Sequence, residues 1–268
     1  MDETGLYWRW AISRGLSTAS IPGAKKDKAR ISLALCSNAD GSDKVPPWLI
    51  GKSKVPRCFR GVNVSAFGVE WRNSTKAWMN ADIMAEWLKA FYKHIGEDVE
   101  VILLMDNFSA HLAGMELAPP PPNVRIEFLP KNSTSQYQPL DQGIIANYKH
   151  YYKRQWLRFC INTYAQKQDP IKTVTLVDAL RWTQIAWRDC VTPQTIRHCW
   201  VKSTILKKVD NADEDPQPPA DLLDLLREAQ VVAEVSEDAR DLRTFMAPED
   251  EDEEPEQAEP DLQAIINH

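Results

Sequence analysis

The sequence predicts an α/β fold, with a mixed sheet flanked by helices over residues 1–205 and a helical extension at the end of that region. Residues 206–268 are predicted to be a Pro-rich linker and an acidic, largely disordered tail. Strand-like runs come first, then one helical run and two further strand-like runs, and only helical patterns follow after about residue 140. With 268 residues, of which 43% are hydrophobic, the chain is long enough to bury a substantial core.

The first predicted elements are strands. Residues 30–36 and residues 47–51 form two apolar runs separated by a turn at residues 38–41, which predicts a hairpin-like pair. A third strand is predicted around residues 68–71, in a less regular segment.

An amphipathic helix is predicted over residues 80–94, because apolar side chains recur there at helical intervals after Asn80, a favourable N-cap. Residues 99–105 then form an apolar run typical of a buried strand, and this run ends in Asp106. Side chains at the carboxyl ends of strands gather at one edge of an open α/β sheet. Asp106 is therefore a candidate site residue.

The next segment carries a second candidate acid. Residues 124–129 alternate between apolar and polar side chains and predict a half-buried strand, and residues 130–140 predict a polar loop. Residues 141–161 predict a long helix with Asp141 in its first turn, where the helix dipole favours a carboxylate.

Two more helices are predicted after residue 175. Residues 176–190 follow Thr175 and contain Asp178, the pattern of a capping box, and residues 193–201 follow Thr192 as a cap. The pair resembles a helix-turn-helix in outline, but its leucines, isoleucines and tryptophans are more typical of packing than of contacts with bases.

Charge is divided unequally along the chain. Residues 1–209 carry 29 Lys and Arg against 18 Asp and Glu, whereas residues 210–268 carry 3 against 20. Basic side chains replace counterions along phosphates, so the body is predicted to bind a polyanion. Six basic residues are candidates for backbone contacts, although a solvated loop explains them equally well: Arg9, Arg14, Lys25, Lys26, Lys28 and Arg30.

The acidic tail has three predicted parts. Residues 213–219 form a linker, residues 221–229 have helical spacing, and residues 248–260 are almost purely acidic and are expected to stay disordered. The short helix is expected to dock on the body or on a partner, with a solvated helix as the alternative. The tail is expected to bind a protein partner or the basic body. One hypothesis is that its acidic run mimics DNA and occupies a basic groove when no nucleic acid is bound. Unchanged affinity for DNA at low salt after deletion of residues 210–268 would contradict it.

Several classes of protein are disfavoured. No stretch reaches the ~20 consecutive apolar residues that span a bilayer, and the first residues lack the pattern of a signal peptide, so an intracellular protein with no membrane partner is expected. Five scattered cysteines without a Cys-x-x-Cys pair disfavour a disulfide framework and a zinc site. Gly51-Lys52-Ser53 lacks the preceding glycine of a phosphate-binding loop, and no Gly-x-Ser-x-Gly motif is present.

Three carboxylates form the most informative pattern in the sequence: Asp2, Asp106 and Asp141. Phosphodiester transfer can use two divalent ions ~3.5–4 Å apart, and Mg²⁺ and Mn²⁺ prefer carboxylate oxygens. Taken singly, the acids also fit a strand terminator, a cap and a frayed terminus, so the hypothesis depends on all three. Asn107 and His111 are candidates for contacts around them.

Six motifs carry a resemblance to a known family. They are Asp2-Glu3-Thr4-Gly5-Leu6, Gly51-Lys52-Ser53, Lys76-Ala77-Trp78-Met79, Leu104-Met105-Asp106-Asn107-Phe108-Ser109-Ala110-His111, Phe128-Leu129-Pro130-Lys131-Asn132-Ser133-Thr134-Ser135 and Gln138-Pro139-Leu140-Asp141-Gln142-Gly143-Ile144. From Asp2 to about Ile205 the chain closely resembles the DDE endonuclease domain of pogo and Tigger-type transposases, including their host-adopted centromere-protein-like and jerky-like relatives. The 34 residues between Asp106 and Asp141 agree with the wider Tc1/mariner group.

The resemblance implies a ribonuclease-H-like fold and a nuclear protein that acts on DNA. It implies that Asp2, Asp106 and Asp141 bind two Mg²⁺ or Mn²⁺ ions, that water cuts transposon ends, and that the freed 3′-hydroxyl attacks target DNA. His111 and Gln138 match the family's motifs around the site and, with Asn107, are candidates for supporting or DNA contacts. A homodimer is compatible with this interpretation.

Two departures from the family pattern keep a second interpretation open. Family members have a full strand before the first acid, whereas only Met1 precedes Asp2, so the first strand is expected to be truncated and Asp2 to lie on a frayed terminus. The family's upstream helix-turn-helix domains do not occur in this sequence. The alternative to a metal-dependent DNA endonuclease and strand transferase is thus a catalytically inactive, domesticated or truncated nuclear DNA-binding or scaffolding protein.

Overall fold

A computed structural model describes residues 1–10, 28–130, 134–206 and 219–232, and four further residues of the tail: Phe245, Pro248, Glu251 and Asp252. The strands of this part of the chain are β1 (Asp2–Trp10), β2 (Lys28–Leu35), β3 (Trp48–Gly51), β4 (Glu70–Asn73), β5 (Val101–Met105) and β6 (Val124–Phe128). Its α-helices are α1 (Ala81–Ile95), α2 (Ser109–Leu117), α3 (Thr134–Tyr137), α4 (Ile145–Ala165), α5 (Pro170–Thr173), α6 (Leu176–Gln184), α7 (Pro193–Lys202) and α8 (Leu222–Val232). Short 3₁₀ turns lie at Arg57–Phe59 and Val64–Phe67, and wider π turns at Leu140–Ile144 and Ile185–Cys190.

The strands form two sheets. β1, β2 and β3 are antiparallel neighbours in a four-stranded sheet that ends in β4, which runs parallel to β3, whereas β5 and β6 form a parallel pair. The sheets meet where the Met1 ammonium donates a hydrogen bond to the Leu104 carbonyl at 2.8 Å. The predicted mixed α/β fold is confirmed, and so is the antiparallel pairing of the first two predicted strands.

The first strand corrects the expectation of a truncated element. β1 begins at Asp2 and continues for nine residues, paired with β2 in a register that places Leu6 opposite Ile31. Leu6 and Trp10 are buried in the core, and Asp2 is only 8% exposed. The expectation of a frayed terminus was wrong because the strand runs downstream of the acid, through apolar residues that secure it.

The core lies on both faces of the four-stranded sheet. Neighbouring residues of β2 point to opposite faces, so that Leu33 packs in one apolar cluster and Ala34 in the other. The first cluster contains Tyr152 of α4 together with residues of α6 and α7, and the second contains Trp87 of α1 together with residues of β5. The sheet is thus enclosed between helical layers that can hold its edges in fixed positions.

Local capping signals are confirmed. Asn80 accepts a hydrogen bond from the Ile83 amide, and Thr175 and Asp178 form the reciprocal contacts of a capping box. Thr192 caps α7 through the Thr195 amide. α6, α7 and the π turn between them contribute buried residues to the core, in agreement with a packing role: Leu180, Trp182, Trp187, Ile196 and Cys199.

Two segment boundaries differ from the prediction. Residues 134–137 of the predicted loop form the single helical turn α3, which is too short to show a helical period; residues 131–133 lie outside the described part. The predicted helix from residue 141 begins as the π turn and becomes α-helical only at Ile145. Gly143 permits this change because its φ of 138° is rarely adopted by other residues.

The tail packs on the body where the structure describes it. α8 buries Leu222, Leu226 and Ala229 against the cluster that contains α4. Asp221, just before α8, lies 2.6 Å from Arg154. The helix is therefore docked on the body and is not solvated. The expectation of disorder is wrong for Glu251, whose side chain is fully buried. Residues 207–218 and 253–260 lie outside the described part.

All five cysteines are free thiols, as expected. Among the described residues, no helix has both the length and the apolar character required to cross a membrane.

Candidate active site

The three predicted acids approach one another from separate elements. Asp2 begins β1, Asp106 follows β5, and Asp141 lies in the π turn before α4. Burial raises the pKa of Asp2 well above its usual range, and the carboxylates of Asp141 and Glu3 raise it further. Burial also raises the pKa of Asp141, which shares a hydrogen bond with Asp2. The arrangement therefore favours a proton or a cation between these groups.

His111, in the first turn of α2, bridges Asp106 and Glu3. Its Nδ1 lies 2.6 Å from Asp106 Oδ1, its Nε2 lies 3.0 Å from Glu3 Oε1, and its side chain is fully buried. Burial opposes a charged ring, but the negative charge of Glu3 and the hydrogen bond with Asp106 raise the pKa of His111 to about 10. Burial likewise tends to raise the pKa of Asp106, but His111 and the Phe108 amide hold it below its usual value.

Gln138 supports Asp2 through the backbone. The side chain of Gln138 is fully buried, and its Nε2 donates to the Met1 carbonyl at 2.9 Å. Its Oε1 is a buried acceptor without a hydrogen-bond partner among the described residues. Gln138 lies three residues before Asp141, and Met1 directly precedes Asp2. The hydrogen bond from the Gln138 side chain to Met1 therefore joins the segment that carries Asp141 to the start of β1.

The acids do not form a complete metal cage in the described part of the chain, where no group of three His, Cys, Asp or Glu side chains is arranged to hold one ion. The Phe108 amide and His111 both contact Oδ1 of Asp106, so this oxygen is already engaged within the protein. Asn107 is half-buried and makes no described hydrogen bond to the acids. The oxygen donors of the three acids suit a hard divalent cation chemically.

Sequence reasoning did not identify Glu3, Lys149 or Asp252 as parts of this region. Glu3 adjoins Asp2 in the first motif, so its position was a usable signal. Lys149 Nζ lies 2.8 Å from Asp252 Oδ2, and Asp252 Oδ1 accepts a hydrogen bond from the Thr4 hydroxyl at 2.7 Å. No local pattern reveals a contact between residues separated by almost the whole chain.

A basic aromatic cleft of about 710 Å³ lies beside β1. Trp8 and Trp71 supply aromatic surface, and Arg30, Lys52 and Lys76 supply positive charge. Such a combination suits a nucleic-acid strand, because bases stack on aromatic rings and phosphates bind basic groups.

The predicted backbone-contact residues have different surroundings. Arg30 lines the cleft, and Arg9 donates to the Ile171 carbonyl at 3.3 Å. The backbone of Lys28 begins β2. The other three lie outside the described residues: Arg14, Lys25 and Lys26.

The chain belongs to the DDE superfamily endonuclease family, whose model matches residues 28–200. The matched segment contains Asp106, His111, Gln138 and Asp141, and Asp2 lies before it.

Among characterised proteins, the chain is 33% identical to CENP-B homolog protein 2 of Schizosaccharomyces pombe, over 77% of this chain and 41% of that protein. It is 31% identical to ARS-binding protein 1 of the same yeast, over 94% of this chain and 49% of that protein. It is 28% identical to human Tigger transposable element-derived protein 7, over 63% of this chain and 33% of that protein. The resemblance to Tigger-type proteins is confirmed, and the chain spans less than half the length of each of these relatives. No solved structure matches the chain.

Proposed function

We propose that the chain is a transposase-derived, DNA-binding protein whose Asp2, Asp106 and Asp141 form a two-metal endonuclease and strand-transfer site. The observation that carries the proposal is the burial of Asp2 beside the carboxylate of Asp141, since burial and that charge together raise the pKa of Asp2. A buried carboxyl group next to a second acid is unfavourable when ionised unless a proton or cation joins them. Because the chain belongs to an endonuclease family, we favour a metal cation over a proton at this position.

Asp2, Asp106 and Asp141 would hold two Mg²⁺ or Mn²⁺ ions through hard oxygen donors. With both ions bound, the site gains Lewis acids that lower the pKa of the attacking water or 3′-hydroxyl and stabilise the leaving oxygen. His111 keeps its proton between Asp106 and Glu3 and so limits the orientations of Asp106. Gln138 fixes the backbone before Asp2, and the basic aromatic cleft binds the DNA strand.

Nicking of supercoiled plasmid in Mg²⁺ or Mn²⁺ tests the catalytic proposal. We expect Asp106→Asn and Asp141→Asn each to slow nicking by about 10²–10³-fold, since metal assistance contributes several kcal/mol. Asp98→Asn is the matched control, because Asp98 is an exposed acid after α1. Absence of nicking by the unaltered chain with either metal, or equal nicking by all variants, contradicts the proposal.

One observation favours the second candidate, a catalytically inactive DNA-binding or scaffolding protein. Asp106 is turned toward His111, and the described acids form no ready metal cage. This candidate predicts salt-sensitive DNA binding that Asp106→Asn and Asp141→Asn leave unchanged, with no nicking. Binding and nicking measured on the same variants separate the two candidates.

The proposal includes a ribonuclease-H-like arrangement in which β1 links the two sheets. The bond from Met1 to the Leu104 carbonyl supports this, because it brings the start of β1 to β5. It also includes location in the nucleus, DNA as the principal partner and assembly as a homodimer. Fractionation of nuclei and light scattering of the protein with and without DNA test these points.

A further inference from the structure

Two carboxylates of the tail are bound at the edge of β1. Asp252 Oδ1 accepts hydrogen bonds from the Gly5 amide at 2.8 Å and the Thr4 hydroxyl at 2.7 Å, and its Oδ2 lies 2.8 Å from Lys149 Nζ. Every one of these partners donates a hydrogen or carries a positive charge. Together they form a site for an oxyanion.

Glu251 extends the same site along the strand. Its Oε1 accepts a hydrogen bond from the Tyr7 amide at 2.8 Å and lies 3.6 Å from Lys153 Nζ, and its Oε2 lies 3.1 Å from Lys149 Nζ. The Glu251 side chain is fully buried, and the side chain of Lys153 is 3% exposed. Glu251 therefore places negative charge beside two lysines at the strand edge, and Lys153 Nζ also donates a hydrogen bond to the Phe245 carbonyl at 2.8 Å. Removal of one partner from such a buried pair is costly.

The tail backbone at Glu251 lies close against β1, although residues 251 and 252 are not a strand of the sheet. A Cβ atom at Gly5 would lie 1.9 Å from the Glu251 carbonyl oxygen, so the tail backbone presses on a position without a side chain. Glu251 and Asp252 belong to a run of acidic residues at 249–254. Two neighbouring carboxylates of the tail thus accept hydrogen bonds from two alternate amides of β1, those of Tyr7 and Gly5.

The oxyanion site adjoins the candidate active site. Lys149 lies eight residues after Asp141, on α4, and both Lys149 and Asp252 interact electrostatically with Asp141. Thr4 and Asp2 are two residues apart on β1 and therefore point to the same face. An anion bound at this site lies next to the carboxylates that would process a phosphodiester.

We propose that the donors of Gly5, Tyr7, Thr4, Lys149 and Lys153 form a binding site for backbone phosphates of DNA, and that Glu251 and Asp252 occupy it as an autoinhibitory strap. The inference rests on the proposed DNA-binding function and adds to it a specific phosphate site and its intramolecular competitor. DNA binds at this site only when the strap leaves, so the apparent affinity is reduced by the fraction of molecules with the strap in place.

The test compares the affinity of a fluorescent DNA duplex for three proteins in EDTA at low salt. They are the full chain, the strap variant Glu251→Gln/Asp252→Asn, and the control Asp224→Asn/Glu228→Gln. The control removes the same charge from exposed positions of α8. We expect the strap variant to bind about tenfold more tightly than the control, within the usual range of couplings between two ligands of one protein. Circular dichroism checks that all three remain folded.

A second pair of variants identifies the site that the strap covers. In the strap variant, Lys149→Gln should weaken binding and reduce the slope of log K against log salt by about one, the effect of losing one phosphate contact. Lys89→Gln, at an exposed position of α1, is the matched control. Added to the strap variant, it should reduce the slope of log K against log salt by less than Lys149→Gln does. Equal slopes for the two lysine variants would overturn the phosphate site.

The outcomes separate this inference from the proposed function. Equal affinities of the strap variant and its control overturn the strap even if the full chain nicks plasmid. Tighter binding by the strap variant without nicking supports the strap and favours the inactive candidate. A strap variant that binds no DNA at all overturns both the strap and the DNA-binding function.

Discussion

His111 Nδ1 lies 2.6 Å from Asp106 Oδ1, and the imidazole is fully buried. The other ring nitrogen of His111 contacts Glu3, so removal of the imidazole leaves the buried Glu3 carboxylate without its partner. Such losses cost about 3–5 kcal/mol. We expect His111→Ala to lower the free energy of unfolding by about 3 kcal/mol in urea titrations.

The control is His94→Ala, because His94 makes a similar 2.8 Å contact with Asp43 in an exposed position. Exposed pairs contribute about 0–1 kcal/mol, so this variant should be nearly neutral. The double variant Glu3→Gln/His111→Ala should be less destabilised than the sum of the single variants. Equal losses at positions 94 and 111 would contradict the structural role of the buried bridge.

Divalent cations should stabilise the protein more at pH 8 than at pH 5. The pKa values of Asp2 and Asp141 are raised in the folded state. Between the ordinary and the raised values the folded state binds more protons than the unfolded state, so stability falls as pH rises through this window. A bound cation relieves the repulsion at high pH, whereas protons compete with it at low pH.

Thermal unfolding with Mn²⁺ and with EDTA measures this effect. A cation at one hundred times its Kd adds about 2.7 kcal/mol. Asp141→Asn should abolish most of the Mn²⁺ shift and raise stability at pH 8 in EDTA, and Asp98→Asn should change neither. A shift of the same size at both pH values, or one retained by Asp141→Asn, contradicts a cation at the acids.

Truncation of Leu226 should reveal how tightly α8 is attached. Leu226 is 2% exposed, and deletion of a buried leucine side chain costs about 2–5 kcal/mol. Leu223 on the same helix is 38% exposed, so Leu223→Ala should cost much less. Urea unfolding of Leu226→Ala and Leu223→Ala compares them directly. Equal, small losses would show that α8 does not unfold together with the body.

Gly5→Ala should displace the strap without changing any charge. The added Cβ would lie far inside contact distance of the Glu251 carbonyl, while the amide of residue 5 is retained. We expect a Glu-specific protease to cleave after Glu251 roughly tenfold faster, because this cleavage follows the population of the open form. Cleavage after the exposed Glu97 is the internal reference. Unchanged relative cleavage means that the strap does not rest on Gly5.

The parts of the fold that were predictable depend on neighbouring residues. Asn80, Thr175 and Thr192 cap their helices through bonds to residues three positions away, and such patterns are visible in any sequence. β2, β3, β5 and β6 were predicted for the same reason, since apolar runs between turn residues are local signals, whereas β1 was not predicted at its observed length.

The parts that were missed depend on distant residues. Glu3 meets His111 across 108 positions, and Asp252 meets Thr4 across 248. The acidic run was predicted to be disordered because its composition offers no apolar surface, but Glu251 and Asp252 within it are held by donors that exist only after β1 and α4 are side by side. Asp2 was wrongly expected to fray, because the support of β1 comes from pairing with β2.

The amide of Gln138 gives the candidate site a dynamic property. It joins the Met1 carbonyl to the turn that carries Asp141, so neither acid can separate from the other without breaking this bond. Amide protons near Asp2 and Asp141 should therefore exchange with solvent as one cooperative unit, at a single opening free energy. Asp106 is tied to the same unit, because His111 contacts both Asp106 and Glu3 and the Met1 ammonium binds the Leu104 carbonyl. The three acids are therefore expected to open together, with their spacing held by contacts of the first three residues of the chain.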